Sequence, residues 1–183
     1  MNQHQRRLPD LTGATMARTR STLDERLAFD AKARTERGTR VHHMISLLWK
    51  QNADGNVTHD QILTVVKQTV KAGVPSPRQR FEGFNASAVA KYFALFVPVG
   101  ARFVGSEVRL PGAVADLVLD VDGGFLIQEL KTGRARPLES AEDRKQAACL
   151  LAGGEHHFGE KFLGVEIVTL YHRDHCAFLA PSA

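Results

Sequence analysis

The sequence has little cysteine and lacks long apolar runs. Its 183 residues include two cysteines, Cys149 and Cys176, which lie far apart and form no Cys-x-x-Cys pair. We therefore expect neither a disulfide framework nor a zinc site or iron–sulfur cluster built on cysteines. No run approaches the roughly 20 apolar residues that cross a bilayer, which predicts a soluble protein without a membrane partner. Because the chain also starts without a signal-like pattern, the expected location is cytoplasmic.

The sequence also lacks a strong excess of charge of one sign. Its net charge of +4 favours polyanionic partners only mildly. Residues 1–20 carry four arginines against one aspartate and have no apolar period, which predicts a flexible basic arm. The remaining length can bury one sizeable core, so residues 21–183 are predicted to form a single domain.

The first part of that domain, residues 21–98, has the apolar period of helices. Helices are predicted over residues 21–51, after the capping box Thr58-x-x-Gln61, and over residues 85–96. One stripe of the first helix consists of Gly38, Val41, His42, Ile45, Leu48 and Trp49. His42 therefore faces inward. Four aromatic residues at core-like spacing are predicted to pack in the core rather than to stack on bases: Trp49, Tyr92, Phe93 and Phe96.

The second part, residues 99–183, has the pattern of strands with one helix among them. The predicted strands are 102–109, 115–121, 124–131, 165–171 and 176–179, and the helix is 140–152. Helices followed by the order β-β-β-α-β-β predict an α/β fold in which helices flank a central mixed sheet.

Two tight turns set the expected register of the first three strands. Asp122-Gly123 has the form of a type I′ turn, which places Glu129 opposite Asp116. The preceding Pro-Gly turn places Glu107 opposite Asp116 in the same way. Three acids are therefore predicted to form one row, and Lys131 follows two residues after Glu129 on the same face.

A row of carboxylates needs something that offsets its repulsion. Two carboxylates about 5 Å apart repel by roughly 3 kcal/mol at an effective dielectric constant of 20. In one interpretation, Lys131 and nearby arginines form a structural salt-bridge network in an unrelated α/β protein, or one carboxyl group stays protonated. In the other, the row holds Mg²⁺ or Mn²⁺, because these cations prefer oxygen ligands.

The spacing of these residues is similar to a known nuclease signature. Asp116 followed on the next strand by Glu129-x-Lys131 resembles the PD-(D/E)XK nuclease superfamily. The Lys-Thr-Gly ending, the upstream Gly38-x-x-x-His42 and Gln146 on the next helix are similar to its RecB-like and lambda-exonuclease-like branch. The resemblance implies a restriction-endonuclease-like core of α-β-β-β-α-β order, with residues 21–98 as a helical addition and residues 99–183 as the sheet core.

The same resemblance implies a role for each motif residue. Asp116, Glu129, the Leu130 backbone carbonyl and His42 would bind Mg²⁺ or Mn²⁺. Lys131 would position or activate the attacking water. Glu107 would support the metal or its water shell, and Gln146 would help to orient the site. The branch often carries a tyrosine one turn after this glutamine, whereas here the following residues are Ala, Ala, Cys, Leu and Leu.

Basic residues after the Glu-x-Lys strand could meet phosphates. They are Arg134, Arg136, Arg144 and Lys145, and a solvated charged face explains them equally well. Five further histidines have no motif support and are interpreted as surface or loop residues: His43, His156, His157, His172 and His175.

For function, the resemblance implies a divalent-metal-dependent DNA exonuclease in recombination, repair or phage DNA processing. DNA is then the expected partner, and a helicase or recombination protein is a candidate second partner. Two alternatives stay open. One is a restriction-like or structure-selective endonuclease. The other is a non-cleaving DNA-binding or protein-interaction module with a nuclease fold, which the presence of all three acids and Lys131 disfavours.

Overall fold

A computed structural model describes residues 38–71, 80–133, 138–170 and 176–181, all within one compact unit, Arg37–Ala183. The predicted basic arm at residues 1–20 lies outside the described residues. Within them, no helix is both long and apolar enough to span a bilayer. The elements are α1 (38–51), α2 (His59–Lys71), α3 (Arg80–Leu95), β1 (Arg102–Leu110), β2 (Ala113–Val121), β3 (Gly124–Lys131), α4 (Ala141–Phe158), a 3₁₀ turn (Gly159–Lys161), β4 (Phe162–Thr169) and β5 (Cys176–Leu179).

The strands form one mixed sheet in the order β1-β2-β3-β4-β5. β1, β2 and β3 are consecutive antiparallel neighbours, β3 and β4 are parallel, and β5 is antiparallel to β4. The parallel pair requires a crossover connection, which α4 supplies. The sheet therefore confirms the predicted α/β fold with a restriction-endonuclease-like arrangement, in which β2 and β3 are central strands.

The register of the β2–β3 hairpin is the predicted one. Its ladder runs from Leu117 opposite Gln128 to Val121 opposite Gly124. Asp122 and Gly123 have φ angles of 52° and 85°, as a type I′ turn requires at both central positions. One level beyond the end of this ladder, the same register brings Asp116 to Glu129.

Helices cover the two faces of the sheet and create two apolar cores. Leu117, Leu119 and Leu130 pack with α1, α2 and α3, whereas Val118 and Ile127 pack on the side of α4. The two cores therefore lie on opposite faces of the sheet. The first core also contains the four aromatic side chains predicted to pack there: Trp49, Tyr92, Phe93 and Phe96. Trp49 and Tyr92 are fully buried.

Helix α4 is longer than predicted. The prediction ended it at residue 152, just before Gly153-Gly154, but the helix continues to Phe158. A Cβ atom at Gly154 would collide with the Phe162 ring, and one at Gly153 would lie 2.8 Å from the Pro111 carbonyl oxygen. The two glycines therefore allow α4 to pack closely against the sheet.

Candidate active site

The acids of β2 and β3 meet where the β2–β3 ladder ends. Asp116 Oδ2 accepts a hydrogen bond from the Leu130 backbone N–H at 2.8 Å, so this carboxylate is fixed against β3. Glu129 precedes Leu130 on β3 and is 4% exposed. The negative charge of Asp116 is close enough to contribute to raising the pKa of Glu129. The hairpin thus brings Asp116 and Glu129 together, as the register predicted.

Gln146 of α4 joins Glu129 to Lys131. Its Nε2 donates to Glu129 Oε1 at 2.6 Å, and its Oε1 accepts a hydrogen bond from Lys131 Nζ. Lys131 Nζ also lies 3.1 Å from Glu129 Oε1. An uncharged amide therefore holds both the carboxylate and the ammonium group. The orienting role of Gln146 stays a prediction, and the structure places its side chain in contact with both residues.

Asp143 is a member of this cluster that the sequence reasoning missed. Its Oδ1 lies 3.4 Å from Lys131 Nζ, one helical turn before Gln146. Ser140 caps α4 by accepting from the Asp143 N–H at 3.0 Å. The Ser140 hydrogen bond, followed by the charge of Lys131, lowers the pKa of Asp143 although partial burial opposes this. A Ser-x-x-Asp capping pattern three residues before Gln146 was the available signal.

The environment of Glu129 opposes its ionisation. Burial first, and then the charge of Asp116, raise its pKa to about 7, while Lys131 and His42 pull in the opposite direction. Its second oxygen, Oε2, is buried, and no hydrogen-bond partner for it occurs among the described residues. A buried carboxylate oxygen without a partner is costly, so this atom marks the position where a cation would be accommodated.

His42 reaches the site from α1. Its Nδ1 lies 3.4 Å from Asp116 Oδ1. Burial lowers its pKa, but the hydrogen bond and charge of Asp116, the charge of Glu129 and a hydrogen bond to the Leu130 backbone outweigh burial and raise it. Gly38, one turn earlier, is buried, and a Cβ there would lie 2.5 Å from Thr132 Oγ1. The Gly-x-x-x-His spacing therefore lets α1 approach the end of β3 closely.

The β1–β2 register on either side of Glu107 is the predicted one, with Ser106 opposite Leu117 and Val108 opposite Ala115. Among the described residues, however, Glu107 makes no hydrogen bond or ion pair with Asp116, Glu129 or Lys131. Glu107 is exposed and has a φ of 52°. Its neighbours face opposite sides of the sheet, because Ser106 Oγ accepts a hydrogen bond from Ser46 of α1 while Val108 packs on the side of α4. The prediction assumed strict alternation along β1, and the left-handed backbone at Glu107 breaks that alternation.

The predicted phosphate-contacting residues are only partly within the described chain. Arg134 and Arg136 lie outside it. Arg144 is exposed but donates from Nη1 to the backbone carbonyls of Leu138 and Glu139 at 3.0 and 2.9 Å. Lys145 is exposed on α4. Of the five histidines interpreted as surface or loop residues, His43, His156 and His157 are exposed as predicted. The other two, His172 and His175, lie outside the described residues.

The direct contact between Lys131 and Glu129 is what a structural salt-bridge network predicts. Such a network would neutralise the acids, yet the pKa of Glu129 is raised and its Oε2 has no partner in the described structure. A lysine that fully compensated the carboxylate would lower that pKa. Lys131 therefore does not fully compensate the Glu129 carboxylate, which leaves room for a bound cation or for a proton on Glu129.

The donor set fits a hard divalent cation. Asp116 and Glu129 supply carboxylate oxygens, the Leu130 carbonyl is adjacent, and His42 supplies an imidazole nitrogen. Among the described side chains, no three of the His, Cys, Asp and Glu type converge as a ready-made ligand group. His42 instead pairs with Asp116, and Glu129 Oε1 contacts Gln146 and Lys131. The unpartnered Glu129 Oε2 is the atom that makes the set suitable for a cation.

Comparison with known proteins agrees with this geometry. The family model of the PD-(D/E)XK nuclease superfamily matches residues 16–162, a range that includes α1, the β2–β3 hairpin and α4. No curated protein matches the chain. The matched range covers most of the sequence and every residue of the Asp116–Glu129–Lys131 cluster. With its mixed sheet, its paired acids and its Glu-x-Lys strand end, the chain belongs to the PD-(D/E)XK nuclease superfamily, whose members are in general metal-dependent nucleases.

Proposed function

We propose that the protein is a Mg²⁺- or Mn²⁺-dependent DNA exonuclease of the RecB-like and lambda-exonuclease-like branch. The observation that carries the proposal is the arrangement around Glu129, a buried carboxylate with a raised pKa, an unpartnered oxygen and a lysine beside it. The Gly38-x-x-x-His42 approach to the end of β3 supports the branch. Recombination, repair or phage DNA processing is the expected setting, and the cytoplasm is the expected location.

The ligands of the cation would be Asp116, Glu129, the Leu130 carbonyl and His42. When bound, such a cation supplies Lewis-acid stabilisation of the charge that develops on a phosphate and makes water a better nucleophile. Asp116 is already oriented by the Leu130 N–H, so its carboxylate needs little reorganisation to act as a ligand. The buried Glu129 Oε2 gains a partner that the described side chains do not provide.

Lys131 would act directly on the reacting groups. Its ammonium group is held by Gln146, Glu129 and Asp143, three contacts that fix it at the edge of the acidic pair. An ammonium group placed this way can orient a nucleophilic water and stabilise negative charge on the phosphate. Gln146, which is hydrogen-bonded to both side chains, would keep Lys131 and Glu129 in a fixed position relative to each other.

The substrate contacts outside this cluster would come from basic residues near α4. Arg144 and Lys145 are exposed on the same helix as Gln146. Because such contacts neutralise phosphates without reading bases, they would give affinity rather than sequence specificity. Arg134 and Arg136, which follow the Lys-Thr-Gly segment, are proposed to contribute in the same way.

Two rival functions use the same site. A restriction-like or structure-selective endonuclease would need the same acids and lysine, so only the substrate separates it from an exonuclease. A non-cleaving DNA-binding or protein-interaction module would have no need of an ammonium group held by three partners beside an unpartnered carboxylate oxygen. The geometry therefore favours an enzyme over such a module.

The test incubates the purified protein with end-labelled linear and closed circular DNA, each in single- and double-stranded form, with Mg²⁺, Mn²⁺ or EDTA. An exonuclease degrades only the linear forms and releases mononucleotides or short products. Cleavage of the circular forms would instead favour the endonuclease. Absence of metal-dependent cleavage from every combination would refute enzymatic function.

A further inference from the structure

Gln128 is a buried amide next to the proposed metal ligand Glu129. Gln128 is fully buried, and alternation along β3 directs it to the opposite face of the sheet from Glu129. It therefore points away from the proposed active site and into the core formed with α1 and α3. A fully buried polar side chain at such a position needs hydrogen-bond partners, and their identity shows what the residue holds in place.

Three hydrogen bonds fix the orientation of the Gln128 amide. Its Nε2 donates to the Phe96 carbonyl oxygen at 2.8 Å and to Glu166 Oε2 at 2.7 Å. Its Oε1 accepts from the Tyr92 hydroxyl at 2.6 Å. A flipped amide would place its oxygen against the carbonyl and carboxylate acceptors, which excludes the other orientation. Gln128 thus ties β3 to the end of α3 and to β4 at once.

Tyr92 extends this chain of hydrogen bonds to α1. Its hydroxyl accepts from Trp49 Nε1 at 2.9 Å while donating to Gln128, and all three side chains are fully buried. Burial strongly raises the pKa of Tyr92, so the hydroxyl keeps the proton it donates. Trp49 lies seven residues after His42, which is two helical turns along the same side of α1. The rotation of α1 is therefore fixed relative to β3.

We infer that Gln128 is a positioning residue for the proposed metal site. Acting through Tyr92 and Trp49, it sets the distance and rotation between β3, which carries Glu129 and Leu130, and α1, which carries His42. At the other described end of α1, Gly38 closely approaches Thr132, which directly follows β3. The inference rests on the proposed function in one respect, namely that a divalent cation binds to these ligands.

The test measures cation binding directly on the metal-free full-length protein, by calorimetric titration with Mn²⁺. Tyr92→Phe removes both hydrogen bonds of the central hydroxyl, and Gln128→Met removes the amide at similar volume. Each variant should bind Mn²⁺ about tenfold more weakly, as expected when groups that orient metal ligands are lost. Val66→Ala is the control, because Val66 packs in the same core but lies on α2, outside this chain of hydrogen bonds. It should lower stability and leave Mn²⁺ affinity unchanged.

A double-mutant cycle separates positioning from general loosening of the core. If the hydrogen bonds act by placing His42, then Tyr92→Phe should have little effect on Mn²⁺ affinity in a His42→Ala background. A full tenfold loss in that background would overturn the inference, and so would unchanged Mn²⁺ affinity in both Tyr92→Phe and Gln128→Met. Urea unfolding of each variant shows that the proteins compared are folded.

The outcomes distinguish this inference from the proposed function. Metal-dependent cleavage by the wild type, combined with unchanged Mn²⁺ affinity in the variants, would overturn positioning and leave the nuclease intact. Mn²⁺ binding with the expected pattern but without DNA cleavage would support positioning and refute the nuclease. Absence of Mn²⁺ binding by the wild type would overturn both.

Discussion

Replacing Glu129 with glutamine should change how the stability of the metal-free protein depends on pH. The pKa of Glu129 is raised from 4.5 to about 7, chiefly by burial and then by the charge of Asp116. The folded state therefore binds this proton more tightly than the unfolded state does. For a raised pKa, the stabilising contribution is fully present below about pH 4.5 and is lost as the pH rises through about 7. Glutamine cannot ionise, so Glu129→Gln should not lose it.

The size of the effect follows from the shift. One pKa unit corresponds to about 1.4 kcal/mol, so the shift of Glu129 corresponds to about 3 kcal/mol of unfolding free energy. Wild-type protein should lose roughly this amount between pH 4.5 and pH 8 relative to Glu129→Gln. His42, whose pKa is also raised, adds a loss of the same sign that both proteins share in part. The difference between the two proteins is therefore the informative quantity.

The assay is urea unfolding in EDTA at pH 4.5, 6 and 8, followed by circular dichroism. Glu160→Gln, which removes an exposed carboxylate outside the site, is the control for the loss of one negative charge. Parallel stability profiles for wild type and Glu129→Gln would refute the reasoning, because they would mean that Glu129 is not held in an environment that opposes its ionisation. Saturating Mn²⁺ at pH 8 should restore the stability of wild type more than that of Glu129→Gln.

Three further predictions address single residues. Lys131→Ala should lower the rate of DNA cleavage in a gel assay about 100-fold or more, without loss of folding or DNA binding. The control Lys161→Ala, which removes an exposed lysine, should cleave at the wild-type rate, and a wild-type rate for Lys131→Ala would contradict the proposed role. Gly38→Ala should weaken Mn²⁺ binding through its clash with Thr132, and the added change Thr132→Ala should restore it in calorimetry; failure of this rescue would show that the clash is not the cause. Glu107→Asn should cleave DNA nearly as fast as wild type, because asparagine tolerates the left-handed backbone at this position. Glu107→Val should instead lower the free energy of unfolding in urea by about 1–2 kcal/mol. Loss of cleavage in Glu107→Asn would show that the carboxylate itself is needed.

The part of the site that could be predicted from sequence depends on local rules. The Asp122-Gly123 turn fixes its hairpin register, because a type I′ turn leaves little choice of pairing. That register, together with the Glu-x-Lys spacing, was enough to bring Asp116, Glu129 and Lys131 to one place. The position of His42 followed from helical periodicity in α1.

The remaining features depend on contacts that a linear pattern does not reveal. The break in alternation at Glu107 arises from a left-handed residue that is not glycine, for which the sequence carries no signal. The role of Gln128 is not visible in the strand pattern, because its partner Tyr92 lies 36 residues away in the chain. The length of α4 was underestimated because glycines that pack against Phe162 and Pro111 resemble a helix stop until the sheet is known.

The proposed ligands come from two separate parts of the chain, and this links cation binding to folding. Asp116, Glu129 and Leu130 belong to one hairpin, whereas His42 belongs to a helix far earlier in the sequence. A local opening that detaches α1 would remove the imidazole and leave the two carboxylates in place. A bound cation would therefore shift the equilibrium toward the docked helix by mass action. Occupancy of the site would in this way report whether the N-terminal helices are folded onto the sheet.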